Sequence, residues 1–174
     1  RYVFGIAGLV KGLTQNLSIL FFYWAGFSTN HEAKERIFGS FFKSWTYKDF
    51  VSASREYSQC RLPAILRKQA VSKVQWHLKQ NHKVVIVSAS IKEWIEPWAK
   101  KNDFYDVIAT EPEIKEDVLT GRFRTQNCYG QEKLRRFLKK YPDRDQYTLF
   151  VYGDSQGDKP LLDIADKPFF SCFH

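Results

Sequence analysis

The apolar and polar positions fall into two textures that meet near residue 80. Before it, apolar residues recur at helical spacing. Apolar segments cover Tyr2–Leu13 and Leu17–Phe27. "STNHEAKERIFGSFF" follows, with Ser28, Thr29 or Asn30 available as an N-cap and Glu32 in the first turn. "TYKDFVSASREYSQC" is amphipathic behind Thr46, and Pro63 opens a further helix predicted to run to about Gln80. Beyond residue 80 short apolar runs alternate with helical patterns. "HKVVIVSA", "YDVIAT", "QYTLFVYGD" and "KPFFSCF" read as strands, while "IKEWIEPWAKKN", "GQEKLRRFLKKY" and "DKPLLDIAD" read as helices. "EPEIKEDVLTGRFR" reads as a hairpin turning around Leu119–Gly121. Alternating strands and helices predict an α/β fold with a parallel sheet. The division expected is a helical region over 1–75 and an α/β region over 76–174.

Composition narrows the function. The 174 residues suit one domain with a modest insertion, and 44% hydrophobic content is enough for a sizeable core. The formal charge of +8 suggests an anionic partner. The basic residues are scattered apart from clusters at Lys133–Lys140 and Arg61–Lys73, and no nucleic-acid motif accompanies them, so nucleic acid is not expected. Cys60, Cys128 and Cys172 form neither a CxxC pair nor a zinc spacing, which fits a reducing compartment. The longest apolar run, Leu17 to Phe27, has 11 residues, too few for a transmembrane helix. It reads as a buried or an interfacial helix, leaving a membrane-peripheral position open beside a cytoplasmic one. The chain opens on Arg1 and contains no methionine, so its natural start is expected upstream.

In parallel sheets ligands sit beyond the carboxyl ends of the strands. Ser88 ends one strand there and Asp154 another, with Asp158 four residues on, and Lys133 lies near the start of a helix. A carboxylate pair on a turn suits a hard cation such as Mg²⁺, with Asp158 as a ligand or as an orienting group. A hydroxyl and an ammonium suit phosphate oxygens. Each residue also has an ordinary role: Ser88 as a helix cap, Lys133 as a solvated helix charge, "GDSQGD" as a turn. Their order and shared placement favour the joint reading. Asp143 and Asp145 also form a DxD. They precede a strand rather than end one and are read as loop acids.

With these residues in place, the chain resembles the haloacid dehalogenase superfamily of phosphatases, in its phosphoserine-phosphatase-like branch, subfamily IB. "VVIVSAS" is similar to that family's second motif, "NCYGQEK" to its third and "YGDSQGDKPLLDIAD" to its fourth, GDxxxD before a helix. The resemblance implies a Rossmann-like parallel core and makes residues 1–75 an inserted helical cap. It places Ser88, Lys133, Asp154 and Asp158 in the catalytic set, Ser88, Ala89 and Lys133 around the phosphate, and Asp154 and Asp158 at Mg²⁺. It implies hydrolysis of a phosphomonoester through an aspartyl-phosphate, on a small phosphorylated substrate or a lipid phosphate. The nucleophilic Asp of DxDx(T/S) is expected upstream of Arg1, on the central strand of the sheet. The other reading is a protein of the same fold that binds without turnover.

Overall fold

The computed structural model describes residues 29–173. The apolar segments Tyr2–Leu13 and Leu17–Phe27, and Ser28, lie outside the described residues, as does the expected central strand. The chain packs as two compact units: Arg1–Arg55 with Glu111–Asn127, and Glu56–Thr110 with Cys128–His174.

In the first unit, α1 (Asn30–Phe42) starts on Thr29, whose hydroxyl accepts from the Glu32 N–H while the Glu32 carboxylate accepts from the Thr29 N–H. This reciprocal capping box satisfies two otherwise orphaned donors. Thr46 caps α2 (Tyr47–Cys60), its hydroxyl accepting from the Asp49 N–H at 3.1 Å and donating to the Asp49 carboxylate at 2.7 Å. A hairpin of β3 (Pro112–Lys115) and β4 (Val118–Phe123) packs on α1. Phe38 is the hub, meeting Phe50 edge-on at 5.8 Å and Phe123 at 5.2 Å. The hairpin turns at Glu116 and Asp117, both at positive φ, and not at Leu119–Gly121. Leu119 is buried, and Gly121, at a φ of 86°, lies inside β4, where an added Cβ would come 3.1 Å from the Gly39 Cα. Packing therefore groups the hairpin with the helices around Phe38.

The second unit holds α3 (Leu62–Ile65) and α4 (Lys68–Lys79), then β1 (Val85–Ile91), α5 (Lys92–Lys101) and β2 (Asp106–Thr110). After the hairpin come α6 (Gln131–Lys140), β5 (Phe150–Gly153), α7 (Lys159–Asp163) and β6 (Lys167–Phe170). The single helix expected from Pro63 to Gln80 is broken because Leu66 and Arg67 are extended, with ψ of 135° and 121°. β1 pairs in parallel with β2, and β5 with β6. Side chains alternate across a strand. Val107 and Ala109 accordingly pack with Ile95 and Ala99 of α5, and Ile108 with Phe137 and Leu161 of the helices opposite. Both faces of β2 are thus covered, as its unbroken apolar run requires. Val87 of β1 and Val151 of β5 join the same cluster as Ile108. Among the described residues, neither β1 nor β5 has a second strand neighbour.

His77, at the end of α4, is buried and joins this unit's polar interior. Its Nδ1 lies 2.8 Å from His82 Nδ1 and its Nε2 lies 3.0 Å from the Tyr152 hydroxyl. One ring nitrogen of the His pair must donate and the other accept. Burial, then His82 and Lys73, push the His77 pKa below the ordinary imidazole value of 6.5. The fold therefore prefers neutral His77, while the unfolded chain takes up a proton near 6.5. This contribution is flat above that pH and destabilises the fold as pH falls below it. The melting temperature is expected to drop between pH 7 and pH 5, with a shallower drop in His77→Gln. Equal slopes in a thermal-melt series would remove His77 from the account.

Candidate active site

The turn after β5 is organised around Asp158. Its Oδ1 accepts from Lys133 Nζ at 2.5 Å. Its Oδ2 accepts from the Ser155 hydroxyl at 2.6 Å and from the Ser155 and Asp154 N–H groups at 3.0 and 3.2 Å. Burial works against the charge of Asp158, but the bonds from Lys133 and Ser155 outweigh it and hold the pKa below the ordinary carboxylate value. Gly153 has to be small, because a Cβ there would fall 2.5 Å from that of Asp158.

Lys133 is buried, unlike a solvated helix lysine. It sits in the first turn of α6, where the helix dipole disfavours a cation. Asp158 compensates it. Ser88 is the last residue of β1 in unbroken register with β2, before the strand runs on to Ile91, and its hydroxyl oxygen accepts from the Ser90 N–H at 3.1 Å. That leaves the hydroxyl proton to donate outward.

Hydrogen bonds draw the three segments together. Thr110 donates its hydroxyl to the Ala89 carbonyl at 2.9 Å and accepts from the Cys128 N–H at 3.1 Å. The Gly130 N–H donates to the Gly157 carbonyl at 3.1 Å. Ser88–Ala89, the loop before Lys133 and the Asp154–Asp158 turn thereby share one framework. Sequence reasoning passed over Thr110 and Arg67. Thr110 carried a signal, a hydroxyl closing an apolar strand. Arg67 carried none, since its partner is remote in sequence.

Asp154 points outward and pairs with Arg67 Nη1 at 2.9 Å. As a half-exposed carboxylate at a strand's carboxyl end, it has the hard oxygen chemistry that suits Mg²⁺. Both oxygens of Asp158 are already engaged by donors. Among the described residues, no group of three His, Cys, Asp or Glu side chains is placed to hold a metal ion. The fit to a cation therefore rests on Asp154. Asp143 and Asp145 lie at the turn Arg144–Gln146, before β5.

Residues 5–163 match the family model for haloacid dehalogenase-like hydrolases, and the chain belongs to that family. It is 28% identical over 134 residues to Protein CicA of Caulobacter vibrioides, a match covering 76% of this chain and 60% of that protein. The chain thus spans about 60% of the length of this curated relative. A Bordetella pertussis Tohama I protein of unknown function superposes with a TM-score of 0.80 at 22% identity, over 91% of this chain and 73% of that one. A probable phosphoserine phosphatase from Vibrio cholerae superposes with a TM-score of 0.64 at 16% identity, over 86% and 45%. These likenesses establish the fold, a Rossmann-like α/β core.

Proposed function

We propose that this chain supplies the phosphate-binding and metal-holding side of a Mg²⁺-dependent phosphomonoester phosphatase. The observation that carries the reading is the buried Lys133–Asp158 pair beside Asp154, at the carboxyl end of β5. A buried ammonium held rigid in the first turn of a helix is preorganised to offset charge on a phosphoryl group. Ser88 donates to a phosphate oxygen, with the Ala89 backbone beside it. Asp154 holds Mg²⁺, which supplies charge neutralisation at the phosphate. Of the two roles open to Asp158, its engaged oxygens favour orienting Lys133 and the turn over direct ligation.

The attacking group in this reading is an Asp upstream of Arg1, on the central strand of the sheet, and the intermediate is an aspartyl-phosphate. Residues 1–75 keep the proposed role of cap. The substrate is a small phosphorylated compound, with a lipid phosphate as the variant a substrate panel would detect. A cytoplasmic location is part of the proposal, the compartment that three widely spaced cysteines without a CxxC pair fit. Among the described residues no helix is long and apolar enough to cross a membrane.

The test is phosphate release from p-nitrophenyl phosphate by the whole protein, in Mg²⁺ and after chelation, with beryllium fluoride trapping read by fluorine NMR. Mg²⁺-dependent release together with a Mg²⁺-dependent bound fluoride signal is expected. A fold intact by circular dichroism with neither would favour the binding protein without turnover.

A further inference from the structure

We propose that Thr110 is a positioning residue whose hydroxyl clasps the Ser88–Ala89 stretch of β1 to the loop that leads into α6 and Lys133. The inference rests on the phosphatase reading for its effect on rate, but the clasp itself is a feature of the fold. β1 and β2 run in register until Ser88 faces Ala109. The next paired position is Ile91 with Thr110, so Ala89 and Ser90 form a bulge. Bulges re-aim the chain at a strand's end and need local support to stay in place. Thr110 supplies that support. Its side chain is fully buried, its one proton goes to the Ala89 carbonyl at 2.9 Å, and its oxygen accepts from the Cys128 N–H at 3.1 Å.

The position of Thr110 along the chain gives these two bonds their meaning. The chain leaves the second unit immediately after Thr110 and re-enters it at Cys128. One hydroxyl therefore closes the base of the whole hairpin excursion and also pins the residue after Ser88. Two residues beyond Cys128, the Gly130 N–H donates to Gly157, and α6 then delivers Lys133 to Asp158. A loosened clasp would shift Ser88 relative to Lys133 without touching either. Valine has a similar shape but neither donates nor accepts, so Thr110→Val removes both bonds while changing the shape of the side chain little. The distinctive contribution of threonine here is its donor and acceptor.

The experiment compares Thr110→Val and Thr110→Ser with wild type in the whole protein, at temperatures where circular dichroism shows each folded. Hydrogen exchange of the Cys128 amide reads the clasp, and kcat and KM for p-nitrophenyl phosphate read its consequence. Thr110→Val is expected to speed Cys128 exchange and to lower kcat by about 10–100-fold, the range typical for groups that orient a site's ligands from behind. Thr110→Ser is expected to restore both. Should Thr110→Val fail to fold, Thr110→Cys, similar in size with only a weak donor, carries the comparison and is expected to behave like it. Unchanged exchange in the Val or Cys variant, or a serine variant as impaired as the valine one, overturns the proposal. If wild type releases no phosphate, the phosphatase reading fails separately, and Cys128 exchange alone decides the clasp.

Discussion

Lys133→Ala is expected to lower kcat for phosphate release by about 10²–10³, the usual loss when one preorganised charge-stabilising group is removed. Lys139→Ala, on the exposed face of the same helix, should leave it unchanged. The contrast isolates position, because both changes remove one lysine charge from α6. Lys133 is buried and 2.5 Å from Asp158, so its removal also strands a carboxylate with little access to water. Breaking such a pair from one side costs about 3–5 kcal/mol. The lower end is expected here, since Asp158 keeps its bonds from Ser155 and the Asp154 N–H. Rates must therefore be compared well below the reduced melting temperature of the variant. Equal kcat in the two variants would make Lys133 a structural partner of Asp158 and nothing more.

Asp154→Asn should do the reverse, with little loss of stability and a large loss of function. Its pair with Arg67 leaves both side chains 53% exposed. Ion pairs in that setting contribute about 0–1 kcal/mol. The melting temperature should barely move. Asparagine keeps the shape but removes the anionic oxygen that a hard cation requires. A metal ion contributes several kcal/mol of charge stabilisation, and each 1.36 kcal/mol is tenfold, so kcat/KM should fall by about 10² or more, with a raised Mg²⁺ requirement. An Asn variant with the wild-type Mg²⁺ dependence would take Asp154 out of the metal site. A variant that melts far below wild type would show instead that the Arg67 pair holds the turn together.

The contrast between Lys133 and Asp154 also shows what could be seen in the sequence. The strands around Val87, Ile108 and Val151 were legible because unbroken apolar runs flanked by helices fit only a covered parallel sheet. Thr46 was legible as a cap because capping is local. Asp154 was legible as a strand-end residue, whereas β1 runs on three residues past Ser88 to Ile91. The burial of Lys133 was not, because it depends on Asp158 arriving from a separate turn, and a lysine-rich helix gives no sign of which lysine points inward. The break at Leu66–Arg67 was invisible for a similar reason: Arg67 bonds Asp154 and the Phe173 carbonyl, both remote in sequence. The hairpin turn was misplaced because Gly121 is the residue that usually marks a turn, and here its positive φ falls inside β4 in close packing against Gly39, while the turn itself is made by Glu116 and Asp117.

Phosphate release from p-nitrophenyl phosphate by the whole protein, followed while Mg²⁺ is withdrawn with a chelator and then restored, tests the central claim most directly. Release in Mg²⁺, its loss on chelation and its recovery on adding Mg²⁺ back are the predicted results. A folded protein that releases no phosphate under any of these conditions, or one whose release ignores the chelator, would contradict the account.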